Sequence, residues 1–232
     1  MLTETSNARA GRKDDADAMV ELINYAGEGL PVFLWRRMTE PGQSVWDVGR
    51  ARARRETGGF SYRNARMIDV DGVAAACLIG YPLPKTPAPI PADMPAMFLP
   101  LQELENLAPG SWYVNVLATM PGHRGRGLGA ALLAEAERIA HAAGCREMSI
   151  MVSDANHGAR RLYERCGYGF RAERPMVKED WINDGQRWVL LTKRLPARAD
   201  HASQPPKRTD NRTDHAPLGT GASSALTAAE KT

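Results

Sequence analysis

The sequence predicts an α+β fold in which one domain is built around a mixed sheet. Short apolar runs typical of strands alternate with segments of helical periodicity, and Asp71-Gly72 joins two such runs as a hairpin. With 232 residues, of which 43% are hydrophobic and 25% charged, the chain is long enough for one well-buried domain. We expect this domain to span residues 1–196. A disordered tail is expected over 197–232, which has no aromatic, valine, isoleucine or methionine residue.

The N-terminal part of the chain predicts two helices followed by two strands. The segment DDADAMVELINYAGEGL has apolar residues at helical spacing behind acidic N-cap candidates, and Gly27 and Gly29 end this helix. The segment SVWDVGRARARRE predicts a second, arginine-rich helix. FSYRNARMIDV and VAAACLIGY flank Asp71-Gly72, and a two-residue loop of this composition connects antiparallel strands.

The C-terminal part of the domain predicts alternating strands and helices. PLPKTPAPIPADMP is too rich in proline for regular structure, and LQELENLA is a candidate short helix before the strand WYVNVLAT. The helix LGAALLAEAERIAHAAG and the strand CREMSIMV come next. In NHGARRLYERCG, apolar residues at helical spacing precede Gly167, a typical residue just beyond a helix. Two strands, near 168–172 and 188–192, end the domain.

Charge, cysteine content and hydropathy limit the class of protein. A net charge of +3 is too balanced to indicate a nucleic-acid-binding protein. Cys77, Cys145 and Cys166 have no metal-type spacing, so we predict no metal site and expect reduced thiols. The N-terminus has no signal-peptide core, and no apolar run approaches the ~20 residues that span a bilayer. We therefore expect a cytoplasmic protein without a membrane or nucleic-acid partner.

The loop after WYVNVLAT, within PGHRGRGLGAALL (residues 121–133), alternates arginines and glycines ahead of a helix. A nucleoside triphosphate loop needs Lys-Ser or Lys-Thr after its glycines, and neither follows here. A dinucleotide fingerprint matches better, because Gly125, Gly127 and Ala130 fit G-x-G-x-x-A and Glu147 follows about 20 residues later. Too few βαβ units follow for that fold. A simple tight turn would explain one of the glycines, but not their repetition with two arginines.

The third interpretation of this loop rests on Arg124-x-x-Gly127-x-Gly129. With this pattern, VLATMPGHRGRGLGAALL resembles the acetyl-CoA signature of the GNAT superfamily of acyl-CoA-dependent N-acetyltransferases. NHGARRLYERCGYGF resembles the family's second signature, with an Asn and a Tyr seven residues apart and then a Gly-aromatic pair. The resemblance covers residues 10–195 in element order and 112–170 in motif detail. It implies a GNAT-like domain whose central, mostly antiparallel sheet is flanked by helices on both faces.

The glycine loop suits the pyrophosphate of coenzyme A. Successive N–H groups from Arg124 to Ala130 at a helix N-terminus offer an anion free donors and the positive end of the helix dipole. Glycines allow close approach of the main chain, and arginines add charge-assisted hydrogen bonds. In the family, the preceding strand also pairs its backbone with the pantetheine arm. The resemblance thus implies acetyl-CoA as cosubstrate, bound by Leu117, Ala118, Thr119, Arg124, Gly125, Arg126, Gly127, Leu128, Gly129, Ala130 and Asn156.

Acetyl transfer from a thioester to an amine needs an unprotonated amine, donors for the tetrahedral oxyanion and a proton for the departing thiolate. The resemblance implies that Tyr163 donates this proton and that a backbone N–H near Leu117 binds the oxyanion. Tyr163 also lies on the apolar stripe of its helix, so a purely structural role in the core is an alternative. Asn156 is also a candidate N-cap, and Leu117, Ala118 and Thr119 also fit a plain buried strand.

The general base is not evident in the sequence. Many relatives carry a glutamate on one of two central strands, but WYVNVLAT and MSIMV contain no carboxylate. Deprotonation through ordered water is one alternative. The scattered carboxylates that remain as candidates, each more typical of a solvated surface charge, are Glu103, Glu105, Asp154, Glu179 and Asp180.

Two further segments are open to more than one interpretation. The four arginines of residues 50–55 are typical of a solvated helix face, but they are also candidates to bind the 3′-phosphate of coenzyme A or an acidic substrate. The segment RPMVKEDWINDGQRW places Trp181 and Trp188 around a polar turn, and it either lines the acceptor site or covers the sheet.

These observations predict an N-acetyltransferase that transfers an acetyl group from acetyl-CoA directly to a primary amine of a small molecule or peptide. Because no base is evident, a non-catalytic acyl-CoA-binding sensor or interaction module is the alternative. The sequence does not identify the amine acceptor. A homodimer is one of the assemblies that it allows.

Overall fold

A computed structural model describes residues 8–196, and the predicted tail over 197–232 lies outside the described residues. Seven strands and six helices follow one another along this part of the chain. The strands are β1 (Arg9–Ala10), β2 (Ala65–Val70), β3 (Val73–Pro82), β4 (Trp112–Thr119), β5 (Glu147–Ser153), β6 (Gly169–Pro175) and β7 (Arg187–Arg194). The helices are α1 (Ala16–Ala26), α2 (Leu30–Arg36), α3 (Val45–Ala53), α4 (Leu99–Glu105), α5 (Leu128–Ala142) and α6 (His157–Arg165).

The strands form one sheet in the order β1-β2-β3-β4-β5-β7-β6. The pair β4–β5 is parallel and the other neighbouring pairs are antiparallel, which confirms the predicted mostly antiparallel mixed sheet. Asp71 and Gly72 connect β2 to β3 with φ angles of 52° and 78°. Two positive φ angles in succession match the right-handed twist of the flanking strands, as the sequence indicates for this hairpin.

Helices cover both faces of the sheet, also as predicted. Successive side chains of a strand point to opposite faces, so Leu78 of β3 packs with α5 whereas its neighbours Cys77 and Ile79 pack with α1. On the α5 side Leu132 is fully buried, and on the α1 side Leu22 is fully buried. Complete burial of each such leucine stabilises the fold by about 1.5–3 kcal/mol.

Two elements, β1 and α2, have no counterpart in the sequence prediction. The strand β1 is two residues long, too short for any periodicity to identify it. The sequence of α2, LPVFLWR, has apolar residues on several sides because it packs between α1 and α3 rather than on an open surface. The strand β2 also begins later than predicted, since Ser61 caps a 3-10 turn by accepting a hydrogen bond from the Arg63 N–H at 3.2 Å.

Candidate active site

A cleft of about 940 Å³ opens where β4 and β5 separate. Their parallel pairing ends at Val114 and Ile150. At the same level the register of β4 with β3 shifts, so that Asn115 is an additional residue, a bulge in β4. A bulge bends its strand and increases the local twist. The C-terminal half of β4 therefore diverges from β5, and residues 117–119 line the gap.

The edge of β4 that faces the cleft presents backbone groups to it. The Met120 N–H donates to the Ala75 carbonyl of β3 at 2.8 Å. Backbone hydrogen-bonding groups alternate in direction along an antiparallel strand, so Ala118 also bonds to β3. The backbone N–H and C=O groups of Leu117 and Thr119 therefore point toward the cleft. An extended ligand can bind such an edge as an added strand.

The loop between β4 and α5 needs its glycines for two different reasons. Gly125 and Gly127 have φ angles of 75° and 81°, a region that glycine adopts without strain. A Cβ atom at Gly129 would instead lie 2.9 Å from the Leu162 Cδ2 atom, so this glycine permits close contact between α5 and α6. The conformation of the loop thus favours glycine at positions 125 and 127, whereas a side chain at position 129 would displace the end of the Leu162 side chain.

The N-terminus of α5 offers free backbone donors at the cleft. The first hydrogen bond of the helix runs from the Ala131 N–H to the Gly127 carbonyl at 3.0 Å, and the N–H groups of residues 128–130 have no partner among the described residues. The Arg124 N–H was also predicted to be free, and this was wrong, because it bonds to the Pro121 carbonyl at 3.3 Å. Three free N–H groups and the positive end of the helix dipole favour an anion.

The two arginines of the loop are placed differently. The Arg124 guanidinium donates from Nε to the Thr119 carbonyl at 3.3 Å and lies 5.8 Å from the ring centroid of Tyr25, and Arg124 lines the cleft. The Arg126 guanidinium lies 3.0 Å from His123 Nδ1. Arg126 is the one predicted site residue that does not line the cleft.

The structure adds two cations that the sequence analysis missed. Arg161 and Arg165 of α6 line the cleft and are exposed to solvent. Their spacing of four residues places them on one side of the helix. Both arginines belong to the same sequence motif as Tyr163, so their spacing could have indicated a cationic side of this helix.

Tyr163 lies on α6 and lines the cleft. The side chain is 5% exposed, its ring centroid lies 6.1 Å from that of Tyr168, and no described residue forms a hydrogen bond with its hydroxyl. Burial, and to a smaller extent the charge of Glu28, raises the pKa of Tyr163. The phenol is therefore protonated at neutral pH and available as a donor.

A comparison with protein families agrees with this arrangement. The family model described as Acetyltransferase (GNAT) family matches residues 33–168, which is more than half of the chain. The chain belongs to the GNAT family. The resemblance inferred from the two signatures is confirmed, and the match contains the cleft loop, β5 and α6.

The GNAT fold is also seen in solved structures similar to this chain. One is an acetyltransferase with 18% identity and a TM-score of 0.58, covering 82% of this chain and 100% of the other. A second is an N-acetyltransferase from Staphylococcus aureus Mu50, with 16% identity, a TM-score of 0.54 and coverage of 80% and 99%. A third is a putative phosphinothricin N-acetyltransferase, with 18% identity, a TM-score of 0.52 and coverage of 82% and 99%. No curated protein matches the chain in sequence.

Asn156 links the GNAT signature helix α6 to a carboxylate. Its Oδ1 accepts from the Ala159 N–H at 3.0 Å, so the predicted N-cap is confirmed. Its Nδ2 donates to Glu28 Oε1 at 2.7 Å, and Asn183 Nδ2 donates to Glu28 Oε2 at 2.7 Å. Trp181 Nε1 donates to the Glu28 carbonyl at 3.3 Å. Asn156 also lines the cleft, and its contact with coenzyme A stays a prediction.

Glu28 is the carboxylate that the sequence analysis missed. It lies two residues after the end of α1, with a φ angle of 52°, and lines the cleft. The only local signal is its position between Gly27 and Gly29, which indicates a turn but not a site. The long-range contacts from α6 and from the segment before β7 decide its placement.

None of the five carboxylates proposed from the sequence lines this cleft. Glu103 forms an ion pair with Arg174, whereas Asp154 accepts a hydrogen bond from the Gln186 N–H at 2.8 Å. Glu105 is buried and lines a second cavity. Within residues 8–196, no group of three or more His, Cys, Asp or Glu residues is arranged to hold a metal ion, and no helix is long and apolar enough to cross a bilayer.

The second cavity, of about 130 Å³, lies between helices α1–α3 and strands β4, β5 and β7. It adjoins the cleft, because Ala26, Gly27, Met151 and Trp188 line both spaces. The rings of Trp188 and Trp181 stack with centroids 5.9 Å apart and planes at 10°. Through Trp188, the segment that contains these tryptophans thus lines both the second cavity and the cleft, instead of only covering the sheet.

The arginine-rich helix α3 departs from its predicted role as a solvated face. Arg50 behaves as expected, since it forms ion pairs with Asp17 and Asp47 at the surface. Arg54 is exposed as well. Arg52 is 4% exposed and lines the second cavity, so the solvated interpretation is wrong at this position.

Proposed function

We propose that this protein is an acetyl-CoA-dependent N-acetyltransferase that transfers the acetyl group directly to a primary amine of a small molecule or peptide. One observation supports this most strongly: free N–H groups, an open strand edge and Tyr163 line one cleft. Acetyl-CoA carries a pyrophosphate, an extended amide-containing arm and a thioester. Each part of the cosubstrate therefore has matching chemistry along the cleft.

The size and charge of the cleft fit this cosubstrate. Its volume of about 940 Å³ is at the upper end of the usual range for ligand sites. The N–H groups of residues 128–130 would hold the pyrophosphate, and residues 117–119 would pair with the pantetheine arm. Arg161 and Arg165 would bind the 3′-phosphate through charge-assisted hydrogen bonds.

Acetyl-CoA supplies an activated acetyl thioester, and the chain supplies proton transfers and charge stabilisation. The amine nitrogen bonds to the carbonyl carbon as the carbon–sulfur bond breaks. The Leu117 N–H, directed into the cleft, would stabilise the negative charge that develops on the carbonyl oxygen. Tyr163 would give a proton to the leaving sulfur.

Glu28 would accept the proton that the amine loses. Each of its carboxylate oxygens accepts one amide hydrogen bond, which leaves acceptor capacity on both. After transfer, a proton passing from Glu28 to Tyr163, directly or through water, restores both groups. The alternative function as a non-catalytic sensor was motivated by the lack of a carboxylate base, and the position of Glu28 in the cleft favours the enzyme over the sensor.

Isothermal titration with acetyl-CoA, with NAD as control ligand, tests binding. We expect a Kd well below ~1 mM for acetyl-CoA and no binding of NAD. Spectrophotometric detection of free thiol over a panel of amines then tests catalysis. Steady release of CoA above the hydrolytic background excludes the sensor function, whereas tight binding without release for any amine contradicts the enzymatic one.

A further inference from the structure

Arg52 is a buried cation that has no partner within residues 8–196. The residue is 4% exposed, and no described residue accepts a hydrogen bond from its Nη1. Among the described residues no acidic side chain forms an ion pair with it, unlike Arg50 two residues earlier on α3. The two arginines lie on different sides of α3, and the packing of this helix against α1 and α2 buries the side that carries Val48, Ala53 and Arg52.

A bound anion would stabilise the buried guanidinium of Arg52. Burial, followed by repulsion from Arg55, lowers the pKa of Arg52 to about 10, so the group is still charged at pH 7. An uncompensated charge in an apolar interior is strongly unfavourable. A guanidinium offers paired donors that match the two oxygens of a carboxylate. A bound carboxylate would therefore relieve the unpaired charge.

The cavity around Arg52 is otherwise mostly apolar and aromatic. Trp35, Phe60 and Phe98 are among the side chains that line it. Its volume of about 130 Å³ is close to that of an engineered cavity of about 150 Å³ that binds benzene. Glu105 also lines the cavity, and Arg52 is the one cationic side chain among the described lining residues, which matches one carboxylate on an occupant. The cavity therefore suits a small apolar body with a single carboxylate.

We infer that the acetyl acceptor is an amine whose apolar body carries one carboxylate, which Arg52 binds in the second cavity. This inference rests on the proposed acetyltransferase function. Because Gly27 and Trp188 line both the cavity and the cleft, an occupant anchored at Arg52 can extend its amine toward the cleft. Packing against the apolar side chains would select acceptors by the size of their apolar body, and the Arg52 guanidinium would select acceptors that carry a carboxylate.

Matched acceptor sets test this inference in the full-length protein with acetyl-CoA. Each set holds a carboxylate, its primary amide and the amine in which hydrogen replaces the carboxylate: L-leucine, L-leucinamide and 3-methylbutylamine; L-phenylalanine, L-phenylalaninamide and 2-phenylethylamine; 6-aminohexanoate, 6-aminohexanamide and pentylamine. We expect kcat/KM for the carboxylate to exceed that of both counterparts at least tenfold in one set. Equal or faster acetylation of the neutral forms in every set would overturn the inference and leave the proposed function intact.

Variants of α3 assign the preference to Arg52. Arg52→Met should lower kcat/KM for the preferred carboxylate at least tenfold, and Arg52→Lys should retain part of the preference because the charge remains. The matched control Arg54→Met changes an exposed arginine two residues away and should behave like the parent. Persistence of the carboxylate preference in Arg52→Met would overturn the inference.

Direct binding separates this inference from the proposed function. The same three carboxylates are titrated calorimetrically into the parent and Arg52→Met without acetyl-CoA. Binding to the parent that is lost in the variant supports the Arg52 site even if no amine is acetylated. No binding of any carboxylate, together with acetylation of neutral amines, overturns it. Replacing an unpaired buried charge by a side chain of similar length should not lower Tm, which confirms that the variant is folded.

Discussion

Tyr163 packs in the core and also lines the cleft, which are the positions that its two predicted roles require. Tyr163→Phe removes one hydroxyl and keeps the ring, so packing against Tyr168 should survive. If the phenol protonates the leaving sulfur, kcat should fall by something on the order of 10²-fold, while Kd for acetyl-CoA changes by a few fold at most. Steady-state kinetics and calorimetry measure the two quantities.

The matched control is Tyr168→Phe, which removes a buried hydroxyl that bonds to Met148 Sδ at 3.7 Å and does not line the cleft. Its kcat should stay within about a factor of three of the parent. If Tyr163→Phe also stays within this range, the role as proton donor must be withdrawn and the residue is a core aromatic.

Glu28 is held in place by amide donors, so its charge can be removed with little change of shape. Glu28→Gln should reduce kcat on the order of 10²-fold if the carboxylate accepts the amine proton. One amide donor then faces the new amide nitrogen, which costs roughly 1 kcal/mol of stability. Comparison of kcat, Kd for acetyl-CoA and Tm separates the two effects.

Glu179→Gln is the control for Glu28, because it removes a partly exposed carboxylate that pairs with Arg37. Such surface pairs contribute about 0–1 kcal/mol, and the activity should be unchanged. A large loss of acetyl-CoA affinity in Glu28→Gln with kcat unchanged would assign Glu28 to positioning of Asn156 rather than to proton transfer.

The bulge of β4 depends on a glycine in the neighbouring strand. A Cβ atom at Gly80 of β3 would lie 2.1 Å from the Trp112 ring and 2.8 Å from the Tyr113 carbonyl. The carbonyl belongs to the backbone, so Gly80→Ala must displace β4 where it begins to diverge from β5. Overpacking of this kind costs about 1–3 kcal/mol, which lowers Tm by roughly 2–12 °C in a domain of this size.

Gly169→Ala serves as the control, since Gly169 is also a strand glycine and its added Cβ would meet nothing within 4 Å. Its Tm, measured by thermal denaturation, should remain within about 2 °C of the parent. Equal melting temperatures for the two variants would contradict the close packing described at the bulge.

The domain boundary at residue 196 stays a prediction, and the described chain packs against the domain close to this point. Leu195 is 7% exposed, and its N–H donates to the Arg146 carbonyl at 2.9 Å. A chain that ends at Pro196 should keep the Tm and the acetyl-CoA affinity of the parent, because the composition of 197–232 favours no buried core. Calorimetry and thermal denaturation test both expectations.

A chain that ends at Arg194 is the informative comparison. It loses the buried leucine, which contributes about 1.5–3 kcal/mol, so Tm should fall by roughly 3–12 °C. A comparable fall for the chain that ends at Pro196 would show that the tail packs against the domain and that its composition was misinterpreted.

Local features of this protein were predictable because neighbouring residues determine them. The hairpin at Asp71-Gly72 depends on two φ angles, and the N-cap of α6 at Asn156 and the end of this helix before Gly167 depend on hydrogen bonds within one turn. The glycine loop that precedes α5 is local as well. The fold class, the family and the part of the cleft that the glycine loop forms follow from such short-range patterns.

The chemistry of the site depends on contacts between residues far apart in the chain. Glu28 is joined to Asn156 and Asn183, which lie 128 and 155 residues away, and nothing near Glu28 in the sequence indicates this. Arg52 and Arg54 lie two residues apart in one arginine-rich segment, and the packing of α3 against α1 and α2 buries the first and leaves the second exposed. Local patterns decide where the backbone turns, but burial and long-range pairing decide which charges face the cleft, because both arise only once the layers of the fold meet.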